Sequence, residues 1–313
     1  MGTMKFEKWQ ALGNDYLILE GERLPFELTP ARVRRLCEGH FGVYADGILL
    51  LSPPADPAHV ADLRIFNPDG SEAELSGNGA REAILYLRHR GWTEEESFTI
   101  NTVAGEIKPQ ITGPDTCRVD MGRASLTSKD FPTGPPDGRG EVNSGGLRWA
   151  FQHVSIGNPQ CAIHVDSVEE LMALDLPEIG PGIEGSEEFP NRSNVSWYTE
   201  IDLVEGVLSA SDPPAPVPAT EGGRRTGIRA RIFERGVGET LSSGTGATGA
   251  AVAHVLERSL GAEGGASVMV LLDGGELEVE VDQDLGVNLT GWARPVYEGQ
   301  LSEEFEKELH ETE

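Results

Sequence analysis

Two serines, Ser76 and Ser243, each stand directly before a Gly-x-Gly-Ala sequence, and they lie 167 residues apart. The residues around them match at the same spacing, since Arg64-Ile65-Phe66 recurs as Arg231-Ile232-Phe233. A helix that starts in such a loop presents free backbone N–H groups and the positive end of its dipole, and both favour an anion. Two loops of this kind facing one cleft would hold a carboxylate between them, with one serine on either side.

The elements that must position each serine follow from the same segments. The β-branched and aromatic residues before the loop predict a strand, and Pro68-Asp69-Gly70 ends it. Apolar residues after Gly79 recur at helical spacing to about Gly91, and the second copy predicts a helix of small residues from Gly246 to about Ser259. Two glycine-rich N-caps without a ligand would give a similar pattern, but the duplication favours a functional pair of loops.

Composition restricts the class of protein. The 313 residues suffice for two domains, and the net charge of −27 argues against a nucleic-acid partner or an anionic membrane. No apolar stretch is long enough to span a bilayer, and Met1 to Leu12 lacks the apolar core of a secretion signal. The three scattered cysteines fit a reducing cytoplasm, and the seven histidines form no metal-binding pattern. We therefore expect a cytoplasmic protein without a bound metal.

The order of predicted elements in the first half recurs in the second. Gly157-Asn158-Pro159 repeats the turn at Gly13-Asn14-Asp15, and a strand follows each turn. Ala210–Gly227 is rich in Pro, Ala and Gly and predicts a mobile insertion. Strands with two principal helices in each half predict an α+β fold with mainly antiparallel sheets.

With the repeated loops, Leu12-Gly13-Asn14-Asp15-Tyr16, Gly157-Asn158-Pro159 and Asn194 in view, the chain resembles the diaminopimelate epimerase family from Lys5 to about Leu301. The resemblance implies a cofactor-independent isomerase of lysine and cell-wall precursor synthesis, with an amino acid as substrate. It implies two pseudo-symmetric domains, each a sheet or barrel around a central helix, with the site in the cleft between them. We expect one domain over 1–122 plus 288–313 and the other over 123–287, and we keep a homodimer as an open alternative to a monomer.

The resemblance also implies roles for particular residues. The two catalytic positions of the family, one removing the α-proton and the other returning it to the opposite face, fall on Ser76 and Ser243. Backbone amides at Gly77, Asn78, Gly244 and Thr245 match the loops that hold the α-carboxylate. The remaining matches contact the far end, amino group or carboxylate of the substrate: Asn14, Asn67, Asn158, Asn194, Glu234 and Arg235.

The sequence departs from the family at the catalytic positions, because both are Ser where the family has Cys. Gln160 stands where a supporting His is usual, and Gly47 where some members carry a polar residue. A thiol titrates near 8.5 and a helix N-terminus lowers that pKa, whereas a hydroxyl is far harder to ionise, and no His or Lys in the motif assists it. Three hypotheses follow: an epimerase slowed by the serines, a related amino-acid racemase or dehydratase, and an amino-acid-binding protein without turnover.

The other candidate site residues have simpler explanations too. Asn is a common turn former, which would account for the four asparagines without a ligand. Glu234 and Arg235 could be an exposed pair of little energetic weight. The match to the family motifs favours the site for all of them.

Overall fold

The computed structural model describes residues 4–74, 76–203, 224–260 and 265–312. The chain divides into two compact units: unit 1 comprises Met1–Val119 and Gly291–Glu313, and unit 2 comprises Asp120–Thr290. Within the predicted insertion, residues 210–223 lie outside the described residues. Residues 224–227 belong instead to a strand, because Gly227 pairs with Ile201 on one side and Met269 on the other.

Short strands account for much of the described chain. In chain order they are β1 (Lys5–Ala11), β2 (Asn14–Glu20), β3 (Ile48–Ser52), β4 (Ala61–Phe66), β5 (Glu72–Ala73), β6 (Ile100–Thr102), β7 (Gly105–Ile107), β8 (Pro109–Ile111), β9 (Thr116–Arg123) and β10 (Arg139–Ser144). They continue as β11 (Leu147–Ser155), β12 (Pro159–His164), β13 (Asn194–Ile201), β14 (Arg224–Glu234), β15 (Gly238–Thr240), β16 (Ala266–Leu272), β17 (Gly275–Val281), β18 (Gly286–Trp292) and β19 (Arg294–Gln300).

The helices are fewer, and most have a polar N-cap. In chain order they are α1 (Pro30–Cys37), α2 (Gly77–His89), α3 (Val168–Ala173), α4 (Leu176–Glu184), α5 (Gly244–Glu257) and α6 (Glu303–Glu311), with a 3-10 turn at Gly21–Arg23. α4 was not predicted, because Pro181 in its interior removes a backbone donor and is typical of helix ends.

The two units share a run of six strands in the same order when each is described by itself. In unit 1 the sheet runs β19-β1-β2-β3-β4-β6-β7, with β5 on β4. In unit 2 the order β11-β12-β13-β14-β16-β17 repeats the order β1-β2-β3-β4-β6-β7, and β15 lies on β14 as β5 lies on β4. Most pairs are antiparallel, and the parallel pairs recur too: β2–β3 and β4–β6 correspond to β12–β13 and β14–β16.

One helix lies at the centre of each unit. In α2 every residue from Asn78 to Leu87 is buried, and α2 contacts β1, β2 and β3. In α5 Gly244 and every residue from Gly246 to Val255 are buried, and its Ala and Gly residues allow contact with β11, β12 and β13. A helix that is buried on all sides is the core of its unit. The α+β fold of two similar units, each with a sheet and a central helix, is therefore confirmed.

Candidate active site

Ser76 is the N-cap of the central helix α2. Its backbone is extended (φ −130°, ψ 122°), and its Oγ accepts a hydrogen bond from the Gly79 N–H at 3.1 Å. A serine in this position satisfies one of the amide groups that a helix start leaves unpaired. The side chain is half-buried, so the hydroxyl lies at the rim of the loop rather than in the core.

Tyr16 in β2 provides a second partner for this serine. Its hydroxyl donates to Ser76 Oγ at 3.1 Å, and its side chain is 6% exposed. Gly47 makes room for the ring, because a Cβ at position 47 would lie 2.6 Å from Cε1 of Tyr16 and 2.4 Å from the Phe66 carbonyl oxygen. The glycine at a position that is polar in some family members therefore admits the tyrosine.

Asn14 and Asn78 are linked through their side-chain amides. Asn78 Nδ2 donates to Asn14 Oδ1 at 3.3 Å, and Asn14 Nδ2 donates to Asp46 Oδ2 at 2.8 Å. Asp46 also accepts from the Asp15 N–H at 3.0 Å. Burial, and then the Asp46 charge, raise the pKa of Asp15, while Lys8 opposes the rise from 3.2 Å. These bonds fix the β1–β2 turn against the first turn of α2.

Two charged residues lie in the core just behind the loop. Arg81 is fully buried, and it donates to the Gly77 carbonyl and to Asn78 Oδ1 at 3.0 and 2.6 Å. Glu82 is also fully buried, and among the described residues neither of its carboxyl oxygens has a hydrogen-bond partner. Burial raises the pKa of Glu82 well above its ordinary value, although Arg81 opposes this. Glu82 is therefore protonated well above the range in which a glutamate normally ionises.

Ser243 is the equivalent N-cap of α5 in unit 2. Its backbone is extended (φ −145°, ψ 124°), and Oγ accepts from the Gly246 N–H at 3.2 Å. Its acidic neighbour is Glu234, whose carboxylate accepts from the Thr240 hydroxyl at 2.8 Å and whose pKa is lowered by the nearby Ser243 side chain. Burial raises the pKa of Glu234, and the Thr240 and Ser243 side chains only partly offset the rise. A half-buried carboxylate thus lies beside the hydroxyl of unit 2.

The turn before β12 repeats the arrangement at Asn14. Asn158 Nδ2 donates to Thr245 Oγ1 at 3.2 Å, as the Asn14 side chain bonds Asn78, so each asparagine meets the second residue of its central helix. Gln160 is fully buried and donates to Asn158 Oδ1 at 2.6 Å, while its own Oε1 has no partner among the described residues. Gly249 admits Gln160, because a Cβ there would lie 2.7 Å from the Gln160 Cβ.

The remaining candidate substrate-binding residues form hydrogen bonds with turns and loops of their own unit. Asn194 donates to the Pro159 carbonyl at 3.1 Å and accepts from the Arg235 N–H at 2.9 Å, so its amide joins two loops of unit 2. Arg235 is exposed, and its guanidinium donates to the Asn191 carbonyl at 3.1 Å. Asn67 Nδ2 donates to Ser71 Oγ within its own turn. In this structure these three side chains brace turns and loops.

No thiol lies at either loop. The cysteines Cys37, Cys117 and Cys161 are free and buried. Burial raises the pKa of Cys37 and of Cys117 to about 12, and that of Cys161 well above its ordinary value. None of the three is thus available as a thiolate near neutral pH. Within the described ranges no group of three or more His, Cys, Asp or Glu residues could hold a metal ion, and no helix is long and apolar enough to cross a membrane.

Comparison of the sequence with known proteins identifies its family. The sequence model of the diaminopimelate epimerase family matches residues 6–127 and 152–295. The chain belongs to the diaminopimelate epimerase family. It is 35% identical to "Diaminopimelate epimerase 2" of Nostoc sp. (strain PCC 7120) over 96% of this chain and 97% of the relative. It is 38% identical to the diaminopimelate epimerase of Desulforudis audaxviator over 95% and 98% of the two chains.

Solved structures agree with the fold of this diaminopimelate epimerase family member. A PhzF-family phenazine biosynthesis protein of Bacillus anthracis matches with a TM-score of 0.66 and 18% identity, over 96% of this chain and all of the other. A hydroxyproline epimerase of Agrobacterium vitis, with bound trans-4-hydroxy-L-proline, matches with a TM-score of 0.60 and 15% identity, over 96% and 92% of the two chains. At these identities the likeness concerns the fold alone.

Sequence reasoning missed the partners of the two serines. The sequence motif contains Tyr16 without indicating a role for it, and the resemblance predicts that Glu234 contacts the substrate rather than Ser243. The expectation that no group assists the hydroxyls considered only His and Lys near the loops. The duplication offered a signal for Tyr16, because the turn at Gly13-Asn14 aligns with Gly157-Asn158 and so places Tyr16 opposite Gln160, where the family has its supporting His.

Proposed function

We propose that this member of the diaminopimelate epimerase family inverts the α-carbon of diaminopimelate without a cofactor, using Ser76 and Ser243 as its two proton-transfer groups. One observation supports this most: both serines are N-caps of central helices, and each hydroxyl has a titratable neighbour. That neighbour is Tyr16 for Ser76 and Glu234 for Ser243. Duplication of the fold does not by itself explain why each serine has a different titratable neighbour, whereas a reaction with a separate base and acid does.

Glu234 is the group that could make Ser243 a base. As Ser243 Oγ takes the α-proton of the substrate, its own proton passes to the Glu234 carboxylate, so one O–H bond forms as another breaks. Proton transfer is most efficient when the pKa of the group lies near the working pH, and burial moves the pKa of Glu234 in that direction. The carbanion is then protonated on its other face by Ser76.

The loops around the serines are proposed to bind the substrate. Backbone amides at the two helix starts, at Gly77, Asn78, Gly244 and Thr245, suit the α-carboxylate. The guanidinium of Arg235 suits a second carboxylate, because its fork binds both oxygens. Side chains at Asn14, Asn67, Asn158 and Asn194 are proposed to contact the far end of the substrate, in addition to the turns they brace.

A second function has one observation in its favour. All three thiols are buried and both helix N-caps are serines, so the chain lacks at these helix starts the group that ionises most easily there. An amino-acid-binding protein without turnover would keep the amide loops and have no need of a thiol. The presence or absence of proton exchange separates this function from the first.

The test is exchange of the α-proton in heavy water, followed by NMR, together with calorimetric binding of the same amino acids. The panel contains LL- and meso-diaminopimelate, lysine, glutamate, proline and hydroxyproline. We expect exchange and interconversion of the two diaminopimelate isomers only. Binding without exchange would favour the binding protein, and exchange of another amino acid alone would identify a related racemase.

Two further expectations from the sequence remain predictions. Sedimentation equilibrium measures whether the chain forms a homodimer. The cytoplasmic location is consistent with three free thiols, which stay reduced in that compartment, and fractionation of the source cells tests it.

A further inference from the structure

The hydrogen bonds at Ser76 leave its hydroxyl only one way to act. Oγ accepts from the Tyr16 hydroxyl and from the Gly79 N–H, each at 3.1 Å. A hydroxyl oxygen has two lone pairs and one proton, so both acceptor sites are taken. The proton of Ser76 is then the group left to point away from the loop, and Ser76 is set up as a donor.

The position of Tyr16 is specified by its surroundings. Its side chain is almost fully buried, and Gly47 is the residue that leaves space for the ring. The equivalent residue of unit 2, Gln160, donates to Asn158 instead. The contact with the serine is therefore a feature of unit 1 alone and does not follow from the duplicated fold.

We propose that Tyr16 is the positioning residue that lets Ser76 serve as the acid of the reaction; this rests on the function proposed above. When Ser76 gives its proton to the substrate carbanion, a C–H bond forms and the Ser76 O–H bond breaks. The Tyr16 proton then moves to Ser76 Oγ, which restores the serine hydroxyl and leaves the charge on the phenolate. A phenol titrates near 10, far below an aliphatic hydroxyl, so this step avoids a free alkoxide.

The charged groups around Tyr16 permit this step. Burial raises the pKa of Glu82 in α2 well above its ordinary value, which disfavours the charged form, and fully buried Arg81 precedes it in the same helix. Asp15 has its pKa raised and is paired with Lys8 of β1 at 3.2 Å. Asp46 accepts two hydrogen bonds, from Asn14 and from the Asp15 N–H. Asp15 is thus paired with Lys8, the charge of Asp46 is spread over two hydrogen bonds, and the raised pKa of Glu82 disfavours a further negative charge beside Tyr16.

The first arm of the test measures activity. Tyr16→Phe keeps the ring and removes only the hydroxyl. We expect it to lower kcat for diaminopimelate at least about tenfold and to change KM less than about twofold, in line with the usual share of acid–base assistance. In a Ser76→Cys background the same substitution should cost less, because a thiol ionises without help. Tyr86→Phe is the matched control: it removes another buried hydroxyl of unit 1, one that bonds Glu20, and should leave kcat unchanged.

The second arm does not depend on activity. In Ser76→Cys the ionisation of the introduced thiol is followed by its absorbance near 240 nm, and the native cysteines stay silent because burial raises their pKa values. A hydrogen bond from Tyr16 favours the thiolate, so adding Tyr16→Phe should raise the pKa of that thiol by roughly one to two units. Equal pKa values with and without the tyrosine hydroxyl would overturn the proposal.

The two arms distinguish this proposal from the function on which it rests. A parent protein that exchanges no α-proton contradicts the proposed function, and the thiol titration still decides whether Tyr16 acts on position 76. An active parent whose kcat is unaffected by Tyr16→Phe overturns the role of Tyr16 and leaves the epimerase intact.

Discussion

The Glu234 carboxylate of unit 2 accepts a hydrogen bond from the Thr240 hydroxyl at 2.8 Å, and the nearby Ser243 side chain also lowers the pKa of Glu234. The equivalent of Glu234 in unit 1 is Asn67, which bonds Ser71 in its own turn. The two halves therefore share a backbone but differ in the chemistry next to the serine. A reaction that needs a base on one face and an acid on the other can use such a difference.

Replacing Glu234 tests its role as the base. Glu234→Gln keeps the shape and the bond from Thr240, and we expect α-proton exchange to fall about 100-fold, within the usual range for a lost general base. The parent rate should also fall as pH drops through the Glu234 pKa, which burial places above the ordinary glutamate value. Glu239→Gln, which alters an exposed carboxylate paired with Arg231, is the control. If the fall in rate at low pH persists unchanged in Glu234→Gln, the group that titrates there is not Glu234.

Gly47→Ala tests the space that admits Tyr16. The added Cβ would meet the Tyr16 ring at 2.6 Å and the Phe66 carbonyl at 2.4 Å, so the ring must move away from Ser76. We expect a loss of stability of about 1–3 kcal/mol and a fall in kcat similar to that of Tyr16→Phe. Urea unfolding and steady-state rates measure the two effects. Gly39→Ala, where the nearest atom is the flexible Tyr44 ring at 3.1 Å, should change both much less.

The sequence predicted the local part of the site and missed the long-range part. Ser76 and Ser243 were recognised because the strand, turn and helix start around each lie within a short stretch, and their capping bonds span three residues. The bond from Tyr16 to Ser76 joins residues sixty positions apart, and the pairing of β2 with β3 and of β3 with β4 brings them together. Nothing in the sequence near Ser76 identifies that partner.

Burial explains why other residues differ from expectation. Sequence alone does not indicate that Glu82 lies entirely within the core, since glutamates are rarely buried without a partner. α4 forms in spite of Pro181 because its apolar residues Ile179 and Ile183 pack into the core of unit 2, and tertiary packing overrides helix propensity. The order of strands in each sheet could not be predicted, because the sequence does not show which strands pair. The presence of two similar units could be predicted, because the loop sequence occurs twice.

Glu82 should make stability depend on pH. Its folded pKa lies well above its unfolded value, so the folded state holds the proton more tightly, and stability falls as pH rises from about 4.5 through the folded pKa. His153 and His254, whose pKa values burial lowers, act in the opposite sense, because they make stability rise with pH up to about 6.5. Urea unfolding of the parent and of Glu82→Gln between pH 5 and 9 isolates the effect of Glu82. Parallel pH curves for the two proteins would contradict the assignment.

Arg235 tests the binding of a substrate carboxylate. Its guanidinium is exposed and bonds only one carbonyl in the described contacts, at Asn191, so it can turn to a ligand at small cost. We expect Arg235→Ala to weaken diaminopimelate binding by about 1.5–3 kcal/mol, the usual range for a hydrogen bond to a charged group. Calorimetry measures this, and Arg148→Ala, at an exposed arginine paired with Glu141, is the control. Equal affinity for parent and Arg235→Ala would remove Arg235 from the site.

The most direct test of the two serines as proton-transfer groups is α-proton exchange on diaminopimelate in heavy water, measured for three proteins. These are the parent, Ser76→Ala with Ser243→Ala, and Ser76→Cys with Ser243→Cys. We predict slow but measurable exchange by the parent, at least about 100-fold less by the double alanine variant, and faster exchange by the double cysteine variant, since a thiol at a helix N-terminus ionises near neutral pH. Each single cysteine variant should gain less than the pair. Exchange by the double alanine variant at the parent rate would contradict the account.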